Sequence, residues 1–382
     1  MTLLPVDMIG GALRAAGIIE LEPTANGIVL HRMPAWARSQ HNDTALSLME
    51  AMPSGARLEM TTDATRIELD VQLTMVQLGK APGQPAAFDL VVGGQLINTQ
   101  TTRTGTVIVI EPRTGSIEFV TGGPTTITFD ELPSGNKVVE LWLPQAATVT
   151  IAQLRTDGSV TPPPPPSRRW VHYGSSISHC LEASSPTGVW PAVTARLAGV
   201  DLQSFAFAGQ CQLDPFAARM IAAQPADLIS VKLGINIVNG DTMRERTFIP
   251  AIHGFLDTIR DSHPTVPLTL ITPILCPVAE DLPGPTALGT DGRYRVFERS
   301  AELSTGALTL RRIRQLETEI VANRQAAGDT DLHLIHGTEL FGDDDIVDLP
   351  DGLHPNPAGY QRMGERFHRL AFEQGPFRPL TT

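Results

Sequence analysis

The chain has 382 residues, of which 42% are hydrophobic and 18% charged, and a formal net charge of −12. That length accommodates two separate cores, and the acidic balance argues against a nucleic-acid or anionic-membrane partner, because phosphate binding needs a basic face. The amino-terminal stretch is interrupted by Asp7, Arg14, Glu20 and Glu22, so it does not read as a signal peptide. No uninterrupted apolar run of about 18 residues occurs, so no membrane span is expected. Cys180, Cys211 and Cys276 are odd in number and widely spaced, which suits neither a disulfide framework nor a zinc site. These features point to a cytoplasmic protein.

In chain order, the first half reads as β-structure. From Ala64 the segment ATRIELDVQLTMVQL alternates apolar and polar residues. AAFDLVVGGQLINTQ, GTVIVIEP, GSIEFVTGGPTTITFDEL and KVVELWLPQAATVTIAQL follow, separated by Gly, Pro or Asn. Short strands with turn signals predict an antiparallel, jelly-roll-like β-sandwich over residues 1–160. The run TPPPPPSRR then begins at Thr161. Consecutive prolines join neither a ladder nor a helix interior, so 161–168 is expected to be a stiff linker.

From Arg169 to the end the pattern alternates. Strand candidates RWVHYG, LQSFAFAG, LISVKLG, LTLITPIL and LHLIHG are separated by helical stretches, and NPAGYQRMGERFHRLAFEQG supplies a last helix. Strand–helix alternation predicts a parallel sheet covered on both faces in a 169–382 domain. Ligands of such sheets sit beyond the carboxyl ends of the strands. The first strand ends in Gly174-Ser175-Ser176, the second in Ala208-Gly209-Gln210, and the third in Gly234-Ile235-Asn236. The loop after the fifth carries DLPDGLHPN, with Asp351 three residues before His354.

Acyl transfer needs a hydroxyl nucleophile, an imidazole to move its proton, a carboxylate to hold the imidazole, and donors for the developing oxyanion. A serine, a D-x-x-H pair, a glycine N–H and an asparagine amide supply these. The adjacent Ser175 and Ser176 are both candidates, with Ser176 preferred from its place two residues after the glycine. Asp348 competes with Asp351 at a less suitable spacing. His172 and Trp190 read as packing residues, and Cys211 and Cys276 as buried apolar ones. The Gly- and Pro-rich stretch Cys276–Arg295 is either a cover over the site or a surface insertion. A G-x-S-x-G elbow is lacking, since Ser178 holds the last position, which argues against an α/β-hydrolase. His, Asp and Cys are not clustered for a metal.

The ordered blocks HYGSSIS, FAFAGQC, LGIN and DGLHPN resemble those of the SGNH (GDSL-type) hydrolase superfamily over about the last 215 residues. The resemblance implies a flavodoxin-like three-layer domain. It implies Ser176 as nucleophile, His354 as general base and Asp351 as its orienting acid. It also implies an oxyanion hole from the backbone N–H groups of Ser176 and Gly209 with the Asn236 amide. The sequence departs at Ser175, where the family usually has aspartate. The layout, sandwich first, also resembles GDSL-family acyltransferases of tetracycline-type polyketide biosynthesis, and this implies a coenzyme A thioester donor and a polyketide hydroxyl acceptor. The same layout resembles carbohydrate esterases, which leaves hydrolysis of acylated sugars or small esters as the alternative. Neither resemblance implies a resident cofactor or metal, and the oligomeric state stays open.

Overall fold

The computed structural model describes residues 3–79, 82–111, 114–300 and 302–378. The outermost residues of both expected domains, and Pro112 at the end of GTVIVIEP, lie outside them. The carboxy-terminal half is built on a five-stranded parallel sheet in the order Asp201–Ala206, Arg169–Gly174, Leu228–Lys232, Leu268–Ile271, Leu332–Ile335. In sequence terms this is 2-1-3-4-5, the flavodoxin-like order, whose strand order reverses between the first and third strands. The inner strands LISVK and LTLI are buried at every position. That burial explains why they read as apolar runs rather than alternating ones.

The helices Trp190–Ala198, Pro215–Ala222, Glu245–Ser262, Leu310–Ala326 and Pro357–Phe367 cover the sheet. Each falls on a stretch with helical spacing in the sequence. Trp190 packs inside, with its ring 4.8 Å from that of His172 and 5.3 Å from that of Phe367.

The amino-terminal half forms an eight-stranded and a six-stranded sheet, whose apolar faces share one core. Leu69, Val71 and Phe129 from the first sheet meet Leu58, Phe88 and Leu141 from the second. One pairing is parallel, Ile67–Leu78 with Thr106–Ile110, within an otherwise antiparallel arrangement. Two short helices, Ala35–Arg38 and Thr44–Ala51, also interrupt the strands. Residues 162–168 form neither strand nor helix.

Each half has its own core, and the two pack against each other. Met33, Met49, Met52, Val91 and Trp142 belong to the apolar cluster of the parallel-sheet half. Arg32, fully buried, donates to the carbonyls of Ala206 at 2.8 Å and Met49 at 2.5 Å. Asp201 receives Arg14 and Arg57 from the sandwich at 2.6 and 2.7 Å.

The densest of these bridges is Asp89. Its buried carboxylate accepts from Ser185 Oγ at 2.7 Å, Thr187 N at 2.9 Å, Thr187 Oγ1 at 2.6 Å and Thr99 Oγ1 at 2.6 Å. Gln145 Nε2 donates to Ala183 O at 2.8 Å, and Ser54 Oγ to His179 O at 2.8 Å. The sandwich thus pins the chain from His179 to Thr187, just after the expected nucleophile. Removing a buried acceptor strands its donors, so Asp89→Ala is expected to lower stability by about 3 kcal/mol. Chemical denaturation measures this. A loss below about 0.5 kcal/mol would mean that Asp89 is not a structural tie.

Candidate active site

The first strand stops at Gly174, where a side chain would have no room. A Cβ there would lie 2.5 Å from Ser178 Oγ and 2.8 Å from Ser178 Cβ. Glycine lets the chain turn directly into the short helix Ser176–His179. His172 locks this turn from below. Its Nε2 lies 2.9 Å from Ser178 Oγ and its Nδ1 2.7 Å from Ser230 Oγ. Burial, followed by the charge of Lys232, pushes its pKa down to about 3, so the ring is neutral.

The turn separates the two serines. Ser175 caps the helix, its Oγ accepting from Ile177 N at 3.4 Å. Ser176 Oγ instead points to the loop after the fifth strand and lies 2.9 Å from His354 Nε2. His354 Nδ1 lies 2.7 Å from Asp351 Oδ2. Asp351 Oδ1 also accepts from the backbone N–H groups of Leu353 at 2.8 Å and His354 at 2.7 Å. A three-residue spacing thus closes one tight turn in which the carboxylate holds both the ring and its backbone. Asp348 is engaged elsewhere, accepting from Asn356 Nδ2 at 2.7 Å and from Arg362.

Gly209 and Asn236 come to the same sheet edge, after the second and third strands. Gly209 has φ +75° and open space around its absent side chain, so backbone conformation alone asks for glycine there. Asn236 is buried, and its Oδ1 accepts from Cys211 N at 3.0 Å. This orients the side chain so that its Nδ2 remains the donating end. Ser176 occupies the first turn of its helix, where backbone N–H groups have no intrahelical acceptor.

Three neighbours were not singled out in the sequence. Glu182 Oε1 lies 3.7 Å from His354 Nδ1, and its Oε2 accepts from the Tyr360 hydroxyl at 2.7 Å. It is the only acidic residue between Gly174 and Asp201, a signal that could have drawn notice. Tyr294 stands edge-on to the His354 ring at 5.5 Å, and its backbone N–H donates to Asp351 O at 2.8 Å. Tyr294 belongs to a hairpin, Thr286–Leu288 with Tyr294–Val296, which fills the end of the Cys276–Arg295 stretch and runs one residue past it. The first hairpin strand packs on the Asn236 helix, Ile235–Gly240. The hairpin therefore reaches from the Asn236 helix to the His354 loop.

Electrostatics at the ring oppose one another. Burial alone would lower the pKa of His354. The charge of Glu182, and the hydrogen bond and charge of Asp351, outweigh it, and the net direction is up. Asp351 moves the opposite way: burial raises its pKa, but its bonds to His354 and Leu353 outweigh that and lower it.

A serine, histidine and aspartate in hydrogen-bonded series at the switch point of a 2-1-3-4-5 sheet define an SGNH-type enzyme of acyl chemistry. The chain belongs to the GDSL-like lipase/acylhydrolase family, whose sequence profile matches residues 172–362. Among solved structures it is similar to the salicylyl-acyltransferase SsfX3 from a tetracycline biosynthetic pathway. The two share 25% identity over 96% of this chain and 95% of that one, with a TM-score of 0.79. A putative GDSL-like lipase from Bacteroides ovatus shares the fold at 19% identity, covering 93% and 95%, with a TM-score of 0.62. A family two carbohydrate esterase from Clostridium thermocellum does so at 15%, covering 82% and 90%, with a TM-score of 0.55. No curated protein sequence matches the chain. No helix among the described residues is long and apolar enough to cross a membrane.

All three cysteines are free and buried, and burial raises their thiol pKa values, that of Cys211 to about 12. Thiolate is the reactive form, so the folded protein should resist dithionitrobenzoate at pH 8 and release colour only on unfolding. Rapid labelling of the native protein would show that one of these cysteines is reachable.

Proposed function

We propose that the protein moves an aryl acyl group from a coenzyme A thioester to a hydroxyl of an aromatic polyketide, through an acyl-enzyme on Ser176. The observation that carries the reaction type is the unbroken series from Ser176 Oγ through His354 to Asp351, at 2.9 and 2.7 Å. The choice of transfer over hydrolysis draws on the likeness to the salicylyl-acyltransferase, at 25% identity and a TM-score of 0.79 against 15% and 0.55 for the carbohydrate esterase. An apolar substrate also suits the exposed Leu282 and Phe297, which flank the hairpin in sequence.

In this reading, His354 Nε2 takes the proton of Ser176 Oγ as that oxygen bonds to the thioester carbonyl carbon. The negative charge that develops on the carbonyl oxygen is met by the N–H groups of Ser176 and Gly209 and by Asn236 Nδ2. The tetrahedral intermediate collapses, the C–S bond breaks, and the thiolate leaves with the proton from His354. The acceptor hydroxyl then gives its proton to His354 and bonds to the acyl carbon. The bond to Ser176 breaks, and Oγ recovers the proton. Asp351 keeps Nδ1 protonated, so Nε2 is the basic nitrogen in both halves. The site needs no resident cofactor or metal for these steps; the donor and acceptor are small-molecule substrates.

The test is thiol release from an aryl coenzyme A thioester, with and without a polyketide alcohol, followed by mass spectrometry of the product. Release that depends on the alcohol and yields an ester supports transfer. Equal release in water alone makes the protein a hydrolase of small or sugar esters. Ser176→Ala should abolish release, whereas Ser175→Ala, which loses only a weak helix cap, should retain activity within a few-fold. Asn236→Ala should lower kcat by about 10²–10³. Equal losses from both serine variants would overturn the choice of nucleophile.

A further inference from the structure

We propose that Glu182 is a positioning residue of the acyl-transfer centre, a second carboxylate that stabilises the imidazolium of His354 without orienting the ring. The proposal rests on the reading of His354 as the base. Its evidence is geometric. Asp351 already accepts the Nδ1–H hydrogen bond at 2.7 Å, and Glu182 Oε1 stands at 3.7 Å from the same nitrogen, too far for a second hydrogen bond. What Glu182 supplies there is charge.

That charge is held from two directions. The fully buried Tyr360 donates its hydroxyl to Glu182 Oε2 at 2.7 Å, from the helix that begins three residues after His354. From the other side, the segment carrying Glu182 is tied to the sandwich. Gln145 donates to Ala183 O at 2.8 Å, and Asp89 grips Ser185 and Thr187. A surface glutamate would lose most of its effect to solvent and to its own mobility. This one is two-thirds covered and tethered at its far oxygen.

The consequence follows from Coulomb's law. One oxygen each of Glu182 and Asp351, with a nitrogen of His354, lie within 4.8 Å of one another. With a neutral ring, two carboxylates crowd the same Nδ1 edge. When the ring takes the Ser176 proton, a cation forms beside both anions and their repulsion is offset. Both proton-uptake steps of the cycle are thereby favoured. At low pH the same arrangement keeps the ring protonated and unable to act as base.

Around His354 the other packed groups are uncharged at neutral pH. The Ser176 hydroxyl is neutral. Burial pushes Tyr294 up to about 12 and Tyr360 well above its ordinary value, and it keeps the Cys276 thiol, beneath Leu353, protonated. Asp351 and Glu182 are the charged groups that act on the ring.

Glu182→Gln isolates the charge, because a glutamine oxygen can still accept from Tyr360 and hold the loop. The measurement is kcat/KM against pH for thioester turnover, with the His354 ring titrated separately by NMR. Glu182→Gln should move the rising limb and the NMR midpoint to lower pH by about one unit and lower the plateau kcat several-fold, with KM within about twofold. Asp351→Asn should retain turnover that the double variant loses. Tyr360→Phe should shift the limb in the same direction by less. Superimposable profiles and midpoints for wild type and Glu182→Gln would overturn the proposal. Full activity in Ser176→Ala and His354→Ala would instead overturn the underlying reading, whatever Glu182 does.

Discussion

An imidazole ring fixed between a hydroxyl and a carboxylate is the interaction on which this structure turns. Ser176 and His354 lie 178 positions apart in sequence and 2.9 Å apart in space. Nothing local holds them there. The parallel sheet delivers Ser176 at the end of its first strand, and the loop after the fifth strand returns His354 across the sheet edge. The 2-1-3-4-5 order brings the ends of the first, second and third strands to one sheet edge, where Ser176, Gly209 and Asn236 follow them. Small residues make this possible. Gly174 lets the strand break at once into the serine helix, and His172 and Ser178 then hold the break rigid.

The sandwich acts on the same centre indirectly. Asp89, Gln145 and Ser54 grip the segment that follows Ser176, and Arg32 clasps the end of the second strand ahead of Gly209. These are buried, multiply satisfied bonds, which are costly to break one partner at a time. The two halves therefore keep their own cores but meet along an apolar and polar seam. The proline run between them connects two parts that are already joined by packing.

Much of this could be seen in the residues. Apolar runs such as LISVK and LTLI announced strands buried on both faces, and the helical stretches between them fell where covering helices stand. Placing Ser176, Gly209, Asn236 and His354 at strand ends was enough to put them on one edge. The D-x-x-H spacing picked Asp351 over Asp348, because three residues close a turn and six do not. Other features depend on approach in space and leave little trace in the chain. Glu182 reaches His354 only because Tyr360 and the sandwich hold its loop. Tyr294 meets the ring through a three-residue hairpin strand too short to show a period. The seam between the halves is equally hidden, because Met33 in a bend, Met49 in a short helix and Trp142 at a strand end carry no pattern that points them at the second half. The place after the glycine favours Ser176 over Ser175, and the helix geometry adds that Ser175 Oγ caps the turn while Ser176 Oγ faces His354.

The measurement that bears most directly on this account is the mass of the intact protein after brief exposure to an aryl coenzyme A thioester, with peptide mapping of any adduct. The account predicts a gain of one acyl group, mapped to Ser176 and discharged when an alcohol acceptor is added. An adduct mapped to another residue, or turnover of the thioester by direct transfer with no adduct even after rapid quenching, would contradict it.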